Sequence, residues 1–237
     1  MFTSRGPSLR ELAVQALSSV ERGYDLLAPK FDLTPFRTPD RVLDGTAGAL
    51  RPLGPFRDGL DVCCGTGAGA RVLRALCEGR VVGVDFSAGM LHEARSADPA
   101  GVLVRADARA LPFRPVFDLA VSFGAFGHFL PRERPGLFAQ VHSALRPGGV
   151  FAFPVGAPPR FGTLPYWAMV GFDTVMRLRN RVWRPGFVMY YRTFPLGEVL
   201  AELRGTGFDV ELTPLEGLGR RPDGTPRCAV AVARRKA

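Results

Sequence analysis

Short apolar runs alternate with amphipathic stretches from residue 59 onward, and this alternation restricts the fold more than any other feature of the sequence. The apolar runs are GLDVCC, RVVGVDF, GVLVRA, FDLAVSF and GVFAFPV. The stretches between them have apolar residues at helical spacing, at 68–78, 87–95 and 132–145. Repeated strand–helix–strand units form right-handed crossovers and parallel sheets. A helix opened by Pro195 and two late strands complete the pattern. We therefore predict an α/β, Rossmann-like sheet of seven mostly parallel strands with helices on both faces.

The chain before this core has a different pattern. Ser8 and Glu11 have the spacing of a capping box, and they predict an amphipathic helix that ends near Gly23. A loop punctuated by prolines should follow and lead to a short helix within 39–50. These elements predict a helical segment whose loop lies over another part of the molecule.

We expect one domain over residues 1–237. Its parts would be the N-terminal helical segment (1–57), the core (58–156), an insertion after the fifth strand (157–194) and the final helix with two strands (195–237). The insertion is rich in aromatic residues and arginine, and we expect it to be partly helical. Large aromatic side chains need a cover, so we expect an apolar substrate, a partner or a bilayer surface against it.

Charge and cysteine usage narrow the class of protein. The net charge is +9, but the arginines are dispersed, which argues against a specific nucleic-acid partner. Cys63, Cys64, Cys77 and Cys228 lack the paired spacing of a zinc site. The sequence shows no signal-peptide pattern and no apolar run near the roughly 20 residues that span a bilayer. We expect a cytoplasmic monomer or homodimer without a metal, and peripheral membrane contact stays open.

The segment GLDVCCGTGAGARVL, residues 59–73, is a strand that ends in glycines and then opens a helix. Such a turn lets backbone N–H groups approach a ligand. Gly65, Gly67 and Ala70 fit a G-x-G-x-x-A dinucleotide fingerprint, with Asp85 following at the distance of a ribose-binding carboxylate. A nicotinamide-dependent oxidoreductase therefore remains one interpretation, and a tight turn without a ligand is another.

Two further carboxylates favour a different cofactor. Asp61 lies inside the apolar strand, where a carboxylate costs free energy unless it meets a cation or hydrogen-bond donors. A pyrophosphate would be repelled there, whereas the ammonium group of S-adenosylmethionine would not. Asp107 follows the third strand and could accept a hydrogen bond from the adenine amino group, with the Ala108 N–H beside it.

The ordered motifs LDVCCGTGAGA, VVGVDFSAGML, RADARALPF, FDLAVSFGAFGHF and LRPGGVF resemble those of class I S-adenosylmethionine-dependent methyltransferases. The resemblance is close over residues 59–153 and loose over 195–237. It implies that a set of residues binds S-adenosylmethionine: Asp61, Cys63, Gly65, Gly67, Asp85, Phe86, Met90, Asp107, Ala108, Ser122 and Phe123. Cys63 departs from the pattern, since the family usually has glycine at that position.

Within the family, SFGAFGHF and the upstream YDLLAPKFD are weakly similar to methyltransferases of quinone biosynthesis. The resemblance implies a small methyl acceptor and an N-terminal helix and loop (1–57) that form a lid over the cofactor, with Tyr24 as the closing residue. The aromatic residues of the insertion favour an apolar or aromatic acceptor. Tyr190, Tyr191 and Arg192 precede the final helix, where substrate contacts are common in this fold.

His128 is the candidate general base, because imidazole titrates near neutral pH, although a packing role explains it equally well. Metal-assisted transfer is disfavoured because Asp118 lies at the beginning of its strand rather than at the end. A non-catalytic protein that binds S-adenosylmethionine and uses residues 157–194 for a partner also remains open.

Overall fold

The computed structural model describes residues 6–8, 10–11, 14, 18–34, 36–126, 129–183 and 196–236. The helices in this part of the chain are α1 (Val20–Leu27), α2 (Asp40–Leu50), α3 (Ala68–Arg74), α4 (Ala88–Ala97), α5 (Arg134–Ala144), α6 (Leu164–Trp183) and α7 (Leu196–Gly205). The strands are β1 (Gly59–Val62), β2 (Val81–Asp85), β3 (Val102–Arg105), β4 (Phe117–Val121), β5 (Leu145–Gly156), β6 (Phe208–Pro214) and β7 (Cys228–Arg235).

All seven strands form one sheet in the order β3-β2-β1-β4-β5-β7-β6. The first five strands pair in parallel, and β7 runs antiparallel between β5 and β6. The predicted Rossmann-like architecture is therefore confirmed, including the helical N-terminal segment and the helix in the insertion after β5. Among the described helices, none combines the length and apolar character that crossing a membrane requires.

The long central strand β5 shows why the sheet is covered on both faces. Phe151 and Phe153 point into one core with Phe138 of α5, while Val150 and Ala152 point into the other. Side chains of a strand alternate between faces, so this run of buried apolar residues requires helices on both sides. The core on the first side is the larger, and it also holds Val199 and Leu203 of α7.

The N-terminal helix differs from its prediction. The capping box is present, since the Ser8 N–H donates to Glu11 Oε2 at 2.6 Å and the Glu11 N–H to Ser8 Oγ at 3.2 Å. However, the chain leaves helical geometry before Ser19, whose side chain caps a separate helix, α1, that continues to Leu27. One helix ending near Gly23 was wrong because a second N-cap restarts the helix. The predicted loop is instead the end of α1 followed by a 3₁₀ turn over Ala28–Leu33.

Two other boundaries also differ. Helix α3 ends at Arg74 rather than at residue 78, because Cys77 forms a parallel bridge with Phe56, a contact that no local pattern indicates. Strand β1 ends at Val62 because Cys63 adopts a positive φ of 58°, which a strand cannot continue.

Candidate functional site

The strand order reverses between β1 and β4, because the chain first builds β2 and β3 on one side of β1 and then crosses to the other side. Ligands of open α/β sheets bind in the crevice at such a point, outside the carboxyl ends of the strands. A cavity of about 230 Å³ lies there. Its lining comprises Tyr24, Phe31, Phe36, Arg37, Thr38, Asp61, Cys63, Cys64, Gly65, Thr66, Ala68, Gly69, Asp85, Phe86, Met90, Phe123, Gly124, Ala125 and Phe129.

The glycine turn forms one wall of the cavity. Gly65 and Gly67 have φ values of 53° and 95°, in the left-handed region that glycine adopts without steric cost. Cys63 lies in the same region at 58°, where a side chain costs about 1–2 kcal/mol. The departure from the family's glycine at this position is therefore also a strained position. Burial raises the pKa of the Cys63 thiol, so the side chain is a neutral wall of the cavity.

Asp61 presents an unpaired carboxyl oxygen to the cavity. Its carboxylate is buried and accepts hydrogen bonds from the backbone N–H groups of Gly69 and Ala70. Oδ2 is buried and accepts no hydrogen bond from any described residue. Burial, helped by the nearby charge of Asp85, raises the pKa of Asp61 to about 8. A cationic group would satisfy both the free oxygen and the charge.

Asp85 ends β2 and lies on the same cavity. Its Oδ2 accepts the N–H of Gly65 at 2.9 Å, and its Oδ1 accepts the N–H of Ser87 at 2.9 Å. Burial raises the pKa of Asp85, with a smaller contribution from Asp25. Each oxygen keeps acceptor capacity, so the carboxylate can both hold the glycine turn and accept hydroxyl groups of a ligand.

The N-terminal segment covers the cavity through three polar contacts. Asp25 Oδ1 accepts the Ser87 hydroxyl at 2.6 Å and the Gly89 N–H at 2.8 Å, at the start of α4. The Thr66 hydroxyl donates to Asp32 at 2.8 Å. Aromatic contacts add to these, since Tyr24 packs edge-on to Phe86 with ring centroids 6.5 Å apart. The segment predicted to act as a lid is thus anchored to the two loops that form the cradle.

The cavity brings together most of the predicted cofactor residues. Those that line it are Asp61, Cys63, Gly65, Asp85, Phe86, Met90 and Phe123, together with Tyr24 from the lid. Four others do not line it: Gly67, Asp107, Ala108 and Ser122. The Ser122 hydroxyl is buried and donates to the Val62 carbonyl at 2.8 Å, which joins β1 to the loop after β4.

Asp107 is engaged by its neighbour in the sequence. Arg109 donates to both of its carboxylate oxygens, and this contact holds the pKa of Asp107 below its usual range. Four predicted residues lie outside the described part of the chain: His128, Tyr190, Tyr191 and Arg192.

Sequence reasoning missed the aromatic part of the cavity. Phe31 and Phe36 come from the segment between α1 and α2, and Phe129 follows the loop after β4. These residues lie in non-periodic segments, so only the proline-rich character of the lid pointed to a covering role. Arg37 also lines the cavity, but its guanidinium donates to Asp40 at 2.8 Å.

We predict that Gly69→Ala lowers the free energy of unfolding by about 1–3 kcal/mol. A Cβ at this position would lie 2.3 Å from Asp61 Oδ1, so the carboxylate or α3 must shift. Gly136→Ala is the matched control, since this exposed helical glycine has no heavy atom within 4 Å of the added carbon. In the control, the free energy of unfolding should rise by about 0.5–1 kcal/mol. Urea denaturation measures both, and equal behaviour would contradict the close approach of Gly69 to Asp61.

The sequence and the fold are similar to those of known proteins. Residues 60–149 match the family model described as a methyltransferase domain. A 2-phytyl-1,4-naphtoquinone methyltransferase of Thermosynechococcus vestitus is 37% identical over 95 residues, which cover 38% of this chain and 42% of that protein. A tRNA (carboxymethyluridine(34)-5-O)-methyltransferase of Saccharomyces cerevisiae is 31% identical over 143 residues, which cover 60% of this chain and 49% of that protein.

A solved structure extends the match over more of the chain. An S-adenosylmethionine dependent methyltransferase from Mesorhizobium loti superposes with a TM-score of 0.53 at 28% identity, covering 81% of this chain and 100% of that one. The chain spans about half the length of the curated relatives it matches, since the matches cover 41–49% of those proteins.

These matches favour the methyltransferase interpretation of the glycine turn over the nicotinamide one. The expected weak similarity to quinone-biosynthesis methyltransferases is also present. Residues 60–149 belong to the methyltransferase-domain family that their model describes, and the motifs and sheet order of the chain are those of class I S-adenosylmethionine-dependent methyltransferases, whose cofactor is S-adenosylmethionine.

Proposed function

We propose that this chain transfers a methyl group from S-adenosylmethionine to a small, apolar or aromatic acceptor. The observation that carries the proposal is a single cavity in which two buried carboxylates, Asp61 and Asp85, share the lining with aromatic side chains. S-adenosylmethionine would supply a methyl group bonded to a cationic sulfur, which the acceptor's nucleophile attacks at carbon while the sulfur leaves as the neutral thioether. We further propose that residues 1–237 act as one methyltransferase domain.

The residues of the cradle suit this cofactor. Asp61 Oδ2, buried and without a described donor, would accept the ammonium group. Asp85 would accept the ribose hydroxyls, and the Phe86 ring and Met90 would pack against the adenine. Asp107 and Ala108 would bind the adenine edge, and this assignment requires Asp107 to accept a further hydrogen bond beside Arg109.

The character of the acceptor is argued from the other part of the lining. Phe31, Phe36, Phe123 and Phe129 contribute aromatic surface, and Ala125 adds a small apolar side chain. The one cationic side chain among the lining residues, Arg37, is already paired with Asp40. Pockets lined mainly by apolar and aromatic side chains bind apolar ligands. The two named relatives act on a naphthoquinone and on tRNA, and the lining favours an acceptor of the first kind.

The protein's own part in the reaction would be alignment and exclusion of water. Displacement at a methyl group is in line, so holding the acceptor against the cofactor provides much of the acceleration. The lid would shield the cavity through Tyr24 and its contact with Phe86. We propose His128 as the group that takes a proton where the acceptor must lose one, and Tyr190, Tyr191 and Arg192 as substrate contacts.

The test is methyl transfer by the full chain. Protein with S-adenosylmethionine carrying a labelled methyl group would be incubated with apolar hydroquinones and phenols, and separately with bulk tRNA. We expect label in the small aromatic fraction, and faster transfer to larger acceptors in Phe36→Ala, which widens the cavity. Label only in tRNA would contradict the acceptor class. Binding of S-adenosylmethionine without transfer to either fraction would favour the non-catalytic interpretation.

A further inference from the structure

The helix α6 in the insertion after β5 carries a continuous exposed apolar stripe. Leu164, Trp167, Val175, Leu178 and Val182 have exposed fractions of 82%, 54%, 64%, 63% and 75%. With Gly171 between them, they recur at intervals of three and four residues, which places them on one face of a helix. Asp173, half a turn away from this face, is buried. We call these five side chains the docking stripe.

An exposed aromatic cluster extends the stripe at its N-terminal end. The rings of Phe161 and Tyr166 have centroids 5.1 Å apart, and those of Tyr166 and Trp167 lie 5.2 Å apart. Phe161 is 80% exposed. Tyr and Trp are typical of the interface between water and lipid, where their apolar rings and their polar O–H or N–H groups are both satisfied.

The sequence between Asp173 and Glu198 carries charge of a single sign. In the sequence, no acidic residue lies between Asp173 and Glu198, whereas this interval contains five arginines, at 177, 179, 181, 184 and 192. Arg181 is exposed in the last turn of α6. The whole chain has a net charge of +9. An apolar face beside basic residues requires a partner that is both apolar and negatively charged.

We propose that the docking stripe of α6 binds the surface of an anionic lipid bilayer. An amphipathic helix with Trp and Leu on its apolar face and arginine nearby lies in the plane of the membrane interface. Anionic headgroups attract the arginines, and acyl chains cover the stripe. A second copy of the chain would cover the apolar surface but would bring two basic segments together. Charge complementarity therefore favours the bilayer.

The position of α6 in the chain gives the docking a consequence. Strand β5 runs parallel to β4 and ends at Gly156, so the chain leaves the sheet at the same edge as the cofactor cavity and enters α6 shortly afterwards. An apolar acceptor dissolved in the bilayer would then be delivered to the cavity side of the protein. This consequence rests on the proposed function, whereas the docking itself does not.

The experiment is flotation of the full chain with phosphatidylcholine vesicles, with and without phosphatidylglycerol. We expect binding to the anionic vesicles, and at least about a tenfold weaker partition for the double variant Trp167→Ser/Leu178→Ser, because two large side chains no longer enter the apolar phase. The matched control is Val102→Ser/Leu212→Ser, which removes two exposed apolar side chains from β3 and β6 and should bind as the parent does.

Three outcomes would overturn the proposal. The first is no flotation with anionic vesicles. The second is flotation that both double variants reduce equally, which indicates general charge attraction. The third is a parent protein that is a dimer by light scattering and does not bind vesicles, together with a Trp167→Ser/Leu178→Ser variant that is a monomer and a control variant that remains a dimer. Thermal unfolding and S-adenosylhomocysteine binding verify that each variant is folded, and neither readout depends on methyl transfer.

Discussion

Replacing Asp85 with alanine should weaken binding of S-adenosylmethionine by at least about a hundredfold. In the proposed binding mode both ribose hydroxyls donate to this carboxylate, and each hydrogen bond lost is worth about 1.5–3 kcal/mol because the acceptor is charged. The change would also release the Gly65 N–H, which Asp85 now accepts at 2.9 Å, so the glycine turn would lose its anchor. Isothermal titration with S-adenosylmethionine and S-adenosylhomocysteine measures the loss, which should be similar for both.

The control for this prediction is Asp209→Ala. Asp209 is an exposed carboxylate on β6, paired with Lys236, and β6 is the edge strand of the sheet, away from the cavity strands β1 and β4. The Asp209→Ala variant should bind the cofactor with the parent's affinity. Asp85→Asn keeps one acceptor oxygen, so its affinity for the cofactor should lie between those of Asp85→Ala and the control. The prediction therefore stays measurable even where the alanine variant folds poorly. Parent affinity in Asp85→Ala would show that the ribose lies elsewhere.

The features of the fold that follow from regular periodicity could be predicted from the sequence. Each strand of the parallel core contains a short apolar run, and β5 has no polar residue from Val150 to Val155, with Phe151 and Phe153 on one face. The glycine turn could also be predicted, because Gly65 and Gly67 occupy backbone conformations that other residues adopt at a cost in free energy. The position of Asp61 inside an apolar strand indicated a buried carboxyl group that lacks a partner, and the structure has its Oδ2 buried without a described hydrogen-bond donor.

The features that escaped prediction depend on contacts between distant segments or on competing local bonds. Phe31 and Phe36 reach the cavity only because Asp25 and Thr66 fix the lid to the cradle loops. Helix α3 is shortened by a bridge to Phe56, far away in the sequence. Neither contact changes the hydrophobic period of its own segment. The acceptor side of the cavity was therefore the least predictable part of the site.

Between pH 5.5 and 7.5, the affinity for S-adenosylmethionine should rise about tenfold per pH unit, or about a hundredfold in all. Burial first, and the charge of Asp85 second, raise the pKa of Asp61 to about 8, so the carboxyl is mostly protonated over this range. The ammonium group binds the ionised form and must displace the proton. An α-amino group keeps its charge until about pH 7.7–8, so the cofactor contributes little to the slope.

Asp61→Asn is the control that assigns this slope. The amide is neutral at every pH, so the variant's affinity for S-adenosylmethionine should not change with pH. It should be close to the parent's affinity at pH 5.5 and much weaker than it at pH 7.5.

The stability of the parent protein without cofactor should fall as pH rises, in the opposite direction to its affinity. A carboxyl whose pKa is higher in the folded state than in the unfolded chain destabilises the fold increasingly as pH rises from about 4 toward 8. Without cofactor, the free energy of unfolding of Asp61→Asn should therefore exceed that of the parent by on the order of a few kcal/mol at pH 7.5 and by almost nothing at pH 4.

The two measurements on Asp61 test one physical claim from both sides. Titration calorimetry gives the affinity, and urea denaturation gives the free energy of unfolding at the same pH values. A parent protein whose affinity is independent of pH would show that Asp61 is already ionised and paired. An asparagine variant that loses affinity without gaining stability would assign Asp61 to the packing of α3, where Gly69 and Ala70 donate to it, rather than to a charge held for the cofactor. Loss of affinity together with gain of stability is the result we expect, because a buried carboxylate that awaits a cation costs the free protein stability.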